Sequence, residues 1–117
     1  MTHPTILSSA RESYGEIAPE FVRYSEDLLF GEVWRREELS LRDRSMITVA
    51  ALTAGGMVEQ MPYHMRLAMQ NGVQSYELVE AITHLAFYTG WPRAAAALTA
   101  AKQVLTQSDQ PDPKEQK

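Results

Sequence analysis

The chain has 117 residues, 44% hydrophobic and 22% charged, with no cysteine and a formal net charge of −4. This is the composition of one globular domain, and it excludes wholesale disorder, disulfides, thiolate metal sites and thiol redox chemistry. The acidic balance argues against nucleic-acid binding, and no apolar run approaches the ~18 residues of a membrane-spanning helix.

Met1-Thr2-His3-Pro4 has neither the basic nor the apolar region of a signal peptide, so a cytoplasmic protein is expected. Helical signals dominate from there on. Ile6 to Tyr14 predicts a short helix stopped at Gly15. Pro19 suits a first helical position, and Phe21, Tyr24, Leu28 and Leu29 follow at helical spacing up to Gly31. Residues 33–39 read as a connector with Trp34 as a buried anchor. Ser40 is a candidate N-cap for a helix running to about Ala54, ended by Gly55-Gly56. A further helix is expected over about 59–70, with Pro62 in its first turn and Asn71-Gly72 as its stop. Ser75 is the expected cap of a helix over 76–89, which Gly90 ends. Trp91-Pro92 opens the last helix, which reaches about Leu105 and holds Ala94, Ala95, Ala96 and Ala97. Residues 106–117 read as a disordered polar tail behind a single domain over 1–105. The expected fold is all-α, with about six helices.

Charge is unevenly spread. Residues 1–40 hold eight acids and four arginines, which accounts for the whole net charge, and every cation before Lys102 is arginine. Arginine binds carboxylates in two-point fashion, so Arg42, Arg44, Arg66 and Arg93 suit either ordinary surface ion pairs or a pocket for an anionic substrate.

No phosphate-binding loop, zinc-protease, serine-hydrolase or calcium-loop motif is present. What remains are polar residues on helices. Gln60 and His64 lie four apart, with Glu59 near the helix start. His64 fits a general acid or base, or a space-filling histidine. Glu80, His84 and Tyr88 repeat at four-residue spacing, which suits a base with its orienter or a plain exposed face. Arg42 and Arg44 flank Asp43 and point to different faces. Tyr88 and Trp91 fit a pocket mouth as well as core or interface. Met57, Met61, Met65 and Met69 recur every four residues, a packing stripe from about Met61 onward. Glu59, His64 and His84 lack a shared ligand spacing, so no metal site is expected.

Several of these stretches together resemble the carboxymuconolactone decarboxylase family. They are Leu39 to Arg44 (LSLRDR), Ile47 to Leu52 (ITVAAL), Glu59-Gln60 with His64, Asn71-Gly72-Val73, and His84 to Pro92 (HLAFYTGWP). The resemblance spans about Leu28 to Leu105. The wider superfamily includes alkylhydroperoxidase D-like proteins with a CxxC pair ahead of a histidine. Aligned on His64, those cysteines fall at Met57 and Gln60, so the chain resembles the cysteine-free branch. The resemblance implies an all-helical homo-oligomer, often a hexamer built as a trimer of dimers.

It also implies cofactor-independent loss of CO2 from 4-carboxymuconolactone, giving the β-ketoadipate enol-lactone. That substrate carries its own electron sink, because the electron pair of the broken C–C bond flows through the ring alkene to the lactone carbonyl. The enzyme then needs a donor to the dienolate oxygen, an acid for the ring carbon, and a cation for the dianionic substrate. The roles expected on this basis are His64 as general acid and Glu59 as its orienter. Arg44 or Arg42 is the carboxylate clamp, and His84 or Tyr88 the oxyanion donor. Trp91 and Leu52 form a dry wall. The alternatives are a related lyase or isomerase acting on another small carboxylated lactone or keto acid, and a non-catalytic oligomeric binding protein. Convergence of His64, Glu59 and an arginine on one pocket would favour the enzyme.

Overall fold

The computed structural model describes residues 10–109, in two compact units that meet in sequence at Leu41 and Arg42. Residues 6–9 of the first expected helix and residues 110–117 of the expected tail lie outside the described residues.

The first unit contains α1 (Ala10–Tyr14) and α2 (Pro19–Arg23), with Pro19 in the first turn of α2 as its fixed φ favours. The helix expected from Pro19 to Gly31 forms without a break as far as Leu29 but changes its winding part-way. From Tyr24 to Leu29 the winding is π-helical, and the Phe30 N–H donates to the Ser25 carbonyl five residues back at 2.9 Å. Ser25 Oγ donates to the Phe21 carbonyl at 2.9 Å, a back-bond of the kind that loosens a helix. A 3-10 turn follows at Val33–Arg35, inside the expected connector. Trp34 there is buried and stacks on Phe30 with ring centroids 5.7 Å apart. Arg11 Nη2 pairs with Glu26 Oε1 at 2.5 Å across the unit.

The second unit contains α3 (Leu41–Gly55), a 3-10 turn (Val58–Gln60), α4 (Met61–Gln70), α5 (Ser75–Thr89) and α6 (Trp91–Asp109). The fold is thus all-α with six α-helices, and no strand occurs among the described residues. No helix among them is long and apolar enough to cross a membrane. The core is built from one face of each helix: Val49 and Leu52, Met61 and Met65, Leu78 and Ile82, and Ala97, Ala101 and Val104. The methionine stripe packs as expected from Met61 onward, while Met57 is exposed. Buried alanines on α6 let that helix lie close to its neighbours.

Three boundaries differ from expectation. Glu59 and Gln60 precede α4 rather than opening it, because Pro62 sits in the first turn and the chain before it winds as a 3-10 turn. Gln74, not Ser75, caps α5. A capping box needs a Glu or Gln three residues on; Gln74 finds Glu77 there, whereas Ser75 would find Leu78. The last helix continues to Asp109, past Leu105.

Side-chain hydrogen bonds tie the helices together, two of them away from the cleft between α3 and α5. Asn71 Nδ2 donates to Ser45 Oγ at 3.0 Å, and Arg93 Nη1 donates to the Ala54 carbonyl near the end of α3 at 2.5 Å. A single residue, Gly90, joins α5 to α6 with φ 96° and ψ 150°, a region essentially reserved for glycine.

Candidate active site

Within the second unit, α3 and α5 enclose an open cleft of about 610 Å³. Helical spacing explains its lining. Arg42, Met46 and Ala50 recur every four residues on α3, and Tyr76, Glu80 and His84 do so on α5, beside Glu77, Ala81 and Leu85. Each helix therefore turns two stripes inward, one to the core and one to the cleft. The cleft walls are mostly apolar, and the polar groups are those of Arg42, Tyr76, Glu77, Glu80 and His84. That is the usual make-up of a small-molecule site.

Arg42 Nη2 donates to Glu77 Oε2, bridging α3 to α5, and Arg42 Nη1 lies 3.6 Å from Asp43. Glu77 Oε1 accepts the Gln74 N–H at 2.8 Å. That backbone bond first, and Arg42 second, hold the Glu77 carboxyl below the usual carboxylate range. Further along α5, the exposed His84 ring lies tilted at 34° against Tyr88, centroids 5.0 Å apart.

The expected site residues divide. Arg42 and His84 share the cleft, and Tyr88 touches His84. Arg44, Glu59, His64 and Trp91 are not among the cleft residues. Glu59 is exposed on the 3-10 turn. His64 is half-buried on α4, edge-to-face with Tyr63 at 5.0 Å, and burial pulls its pKa below the ordinary 6.5. Arg44 is half-buried, and its carbonyl accepts the Thr48 hydroxyl at 2.8 Å. Trp91 is 65% exposed and meets Phe87 edge-on. Leu52, expected in the wall, belongs to the core, because it shares the inner face of α3 with Val49. Met46, Ile47 and Leu85 form the wall instead.

Sequence reasoning overlooked Glu77. Its signal was available: Glu77 stands three residues after Gln74 and three before Glu80, on the same side of one helix. Among the described residues no three His, Asp or Glu side chains gather as a metal site would require.

Comparison with known proteins places this geometry in context. A model of the carboxymuconolactone decarboxylase family matches residues 19–103. The chain is 34% identical over 98 residues to the 4-carboxymuconolactone decarboxylase of Acinetobacter baylyi, covering 84% of this chain and 73% of that protein. It is 30% identical over 92 residues to the nitrosuccinic acid decarboxylase of Metarhizium robertsii, covering 75% and 64%. An uncharacterized 15.0 kDa protein of Paracoccus denitrificans is 28% identical over 86 residues, covering 72% and 64%. The chain thus spans slightly under two thirds of the length of the latter two relatives.

Proposed function

Given that the chain belongs to the carboxymuconolactone decarboxylase family, we propose that it is a cofactor-independent decarboxylase of small carboxylic acids, acting in the α3–α5 cleft. One observation carries this reading: a permanent cation, Arg42, and a proton-transfer group, His84, stand on one apolar-walled cleft. The first substrate to consider is 4-carboxymuconolactone, on the likeness to the Acinetobacter enzyme.

In that substrate the ring carbon bearing the carboxylate is bonded to the ring alkene, which is itself conjugated to the lactone carbonyl. The C–CO2 bond breaks, its electron pair shifts through the alkene, and negative charge gathers on the carbonyl oxygen. A proton delivered to the ring carbon next to the carbonyl completes the product. Arg42 holds the side-chain carboxylate that stays. His84 delivers the proton, and the Tyr88 beside it is placed to hydrogen-bond the developing oxyanion. The apolar walls give the departing carboxylate no hydrogen bonds, so binding falls on the part of the substrate that remains.

His64, with Glu59, is the alternative proton-handling pair. Burial disfavours the protonated form of His64, and His64 does not line the cleft, which makes it the weaker candidate. A second substrate reading follows from the nitrosuccinic acid decarboxylase relative. A nitro group also accepts the electron pair left by a departing carboxylate, so the scaffold suits any small acid with a built-in sink. The exposed Ile47, Phe87 and Trp91 further support assembly into a homo-oligomer, with a hexamer of three dimers as the form proposed.

The test is CO2 release from 4-carboxymuconolactone, and separately from nitrosuccinate, by the purified chain. His84→Ala should lower kcat about 10²-fold or more. Wild-type turnover in His84→Ala together with loss in His64→Ala would move the proton donor to α4. No turnover of either acid by the folded protein would overturn the decarboxylase reading.

A further inference from the structure

In this structure a carboxylate of the protein itself holds the cation of the cleft. Arg42 comes from α3 and Glu77 from α5, both line the cleft, and their bond crosses between the two helices. The two oxygens of Glu77 do different work. Oε1 accepts the Gln74 N–H and so belongs to the α5 cap; Oε2 is the oxygen that reaches Arg42. The Arg42 side chain is 38% exposed and that of Glu77 28%, so water reaches the pair.

We infer that Glu77 is an internal competitor for Arg42, occupying the position of the substrate carboxylate until a ligand displaces it. This rests on reading the cleft as the substrate site. Release from Arg42 leaves the bond to Gln74 intact, so α5 keeps its cap while the guanidinium is handed over. The exchange replaces one carboxylate by another on the same fork, and a guanidinium has donors for both during the transfer. A partly exposed pair of this kind is worth a factor of about five at most in an equilibrium constant, so it attenuates binding without blocking it. A bare anion gains little by displacing Glu77. A carboxylate carried on an apolar body also gains contact with Met46, Ile47 and Leu85, so the device discriminates in favour of such acids. Glu80 and His84 face the same cleft. Asp43 also lies beside Arg42, so with two carboxylates on one arginine the cleft does not act as a general anion trap.

The test is Glu77→Gln in the full chain. Its amide oxygen still accepts the Gln74 N–H, and Gln serves in a capping box, so the helix start is retained. Succinate is the probe, titrated calorimetrically, alongside turnover of 4-carboxymuconolactone. Succinate should bind about two- to fivefold tighter to Glu77→Gln, with KM falling by a similar factor and kcat carrying none of the change. Arg42→Ala should lose succinate binding. If Glu77→Gln does not fold, Glu77→Asp is read in the same way, since a side chain one methylene shorter should not span both the Gln74 N–H and Arg42. Equal or weaker succinate affinity in the folded variant overturns the inference, as does absence of succinate binding by both forms. Tighter succinate binding without any turnover leaves the competitor standing and removes the decarboxylase reading. Turnover with an unchanged KM does the reverse.

Discussion

The two histidines of the second unit carry the same side chain in opposite settings. His84 stands exposed on the cleft; His64 is half-buried against Tyr63. Burial disfavours the charged imidazole, so the folded chain takes up the His64 proton at lower pH than the unfolded chain does. Stability should therefore be flat above about pH 6.5 and fall as pH drops below it, until the folded-state value is reached. Urea midpoints measured from about pH 7.5 to 5 should show that fall, and His64→Gln should lose the His64 part of it. A variant with the full slope would place the linked proton elsewhere. Sequence alone singled out both histidines, since residue type and spacing are enough for that. It could not rank them, because burial depends on how α4 and α5 rotate about their axes. It named Arg42 and Arg44 together for the same reason: two residues apart on a helix, they point to different sides, and only the packed structure says which side faces the cleft.

At the scale of elements, α3 explains why a cleft exists. Its apolar residues surround the helix, with Val49 and Leu52 in the core, Met46 and Ala50 on the cleft, and Ile47 exposed. An apolar girdle marks a helix that serves more than one packing surface. The glycine stops and the first-turn prolines were legible in the sequence because glycine and proline act locally. The Gln74 cap and the π-helical stretch were not, since each depends on a specific hydrogen bond rather than on composition. Gly90 offers a direct check at this scale. A Cβ there would meet nothing closer than Pro92 Cδ at 3.9 Å, an ordinary contact, so the cost of substitution lies in the backbone. Gly90→Ala should destabilise the chain by about 1–3 kcal/mol, seen as a lower denaturation midpoint at unchanged slope. No loss would mean that the turn relaxes into another conformation.

For the whole molecule, charge divides by unit while exposed apolar surface occurs on both. The acids that give the chain its net −4 lie in residues 1–40, while residues 41–93 balance four arginines against four acids. The second unit leaves Phe87 75% exposed beside Trp91, an adjacent aromatic pair suited to an interface between copies. Light scattering on a sizing column should give a mass several times 13.2 kDa, six-fold for the proposed hexamer. Replacing Phe87 and Trp91 by Ser should shift it downward. A monomeric wild type would end the oligomer proposal. The helix count and the all-α class followed from periodicity, and the family followed from short motifs in a fixed order. The place of the cleft did not, because it is made by two helices separated by nineteen residues of chain.

The one-residue connection between α5 and α6 also bears on how the chain reaches this state. Closing so short a loop costs little chain entropy, and the two helices it joins pack along each other. Contacts close in sequence form before those that must gather distant segments. The helical hairpin of α5 and α6 is thus the natural folding nucleus, onto which α4 and then α3 condense. The cleft, which needs α3 in place, is among the last features of the second unit to form. Binding competence should accordingly lag behind helix formation when refolding is followed by both signals.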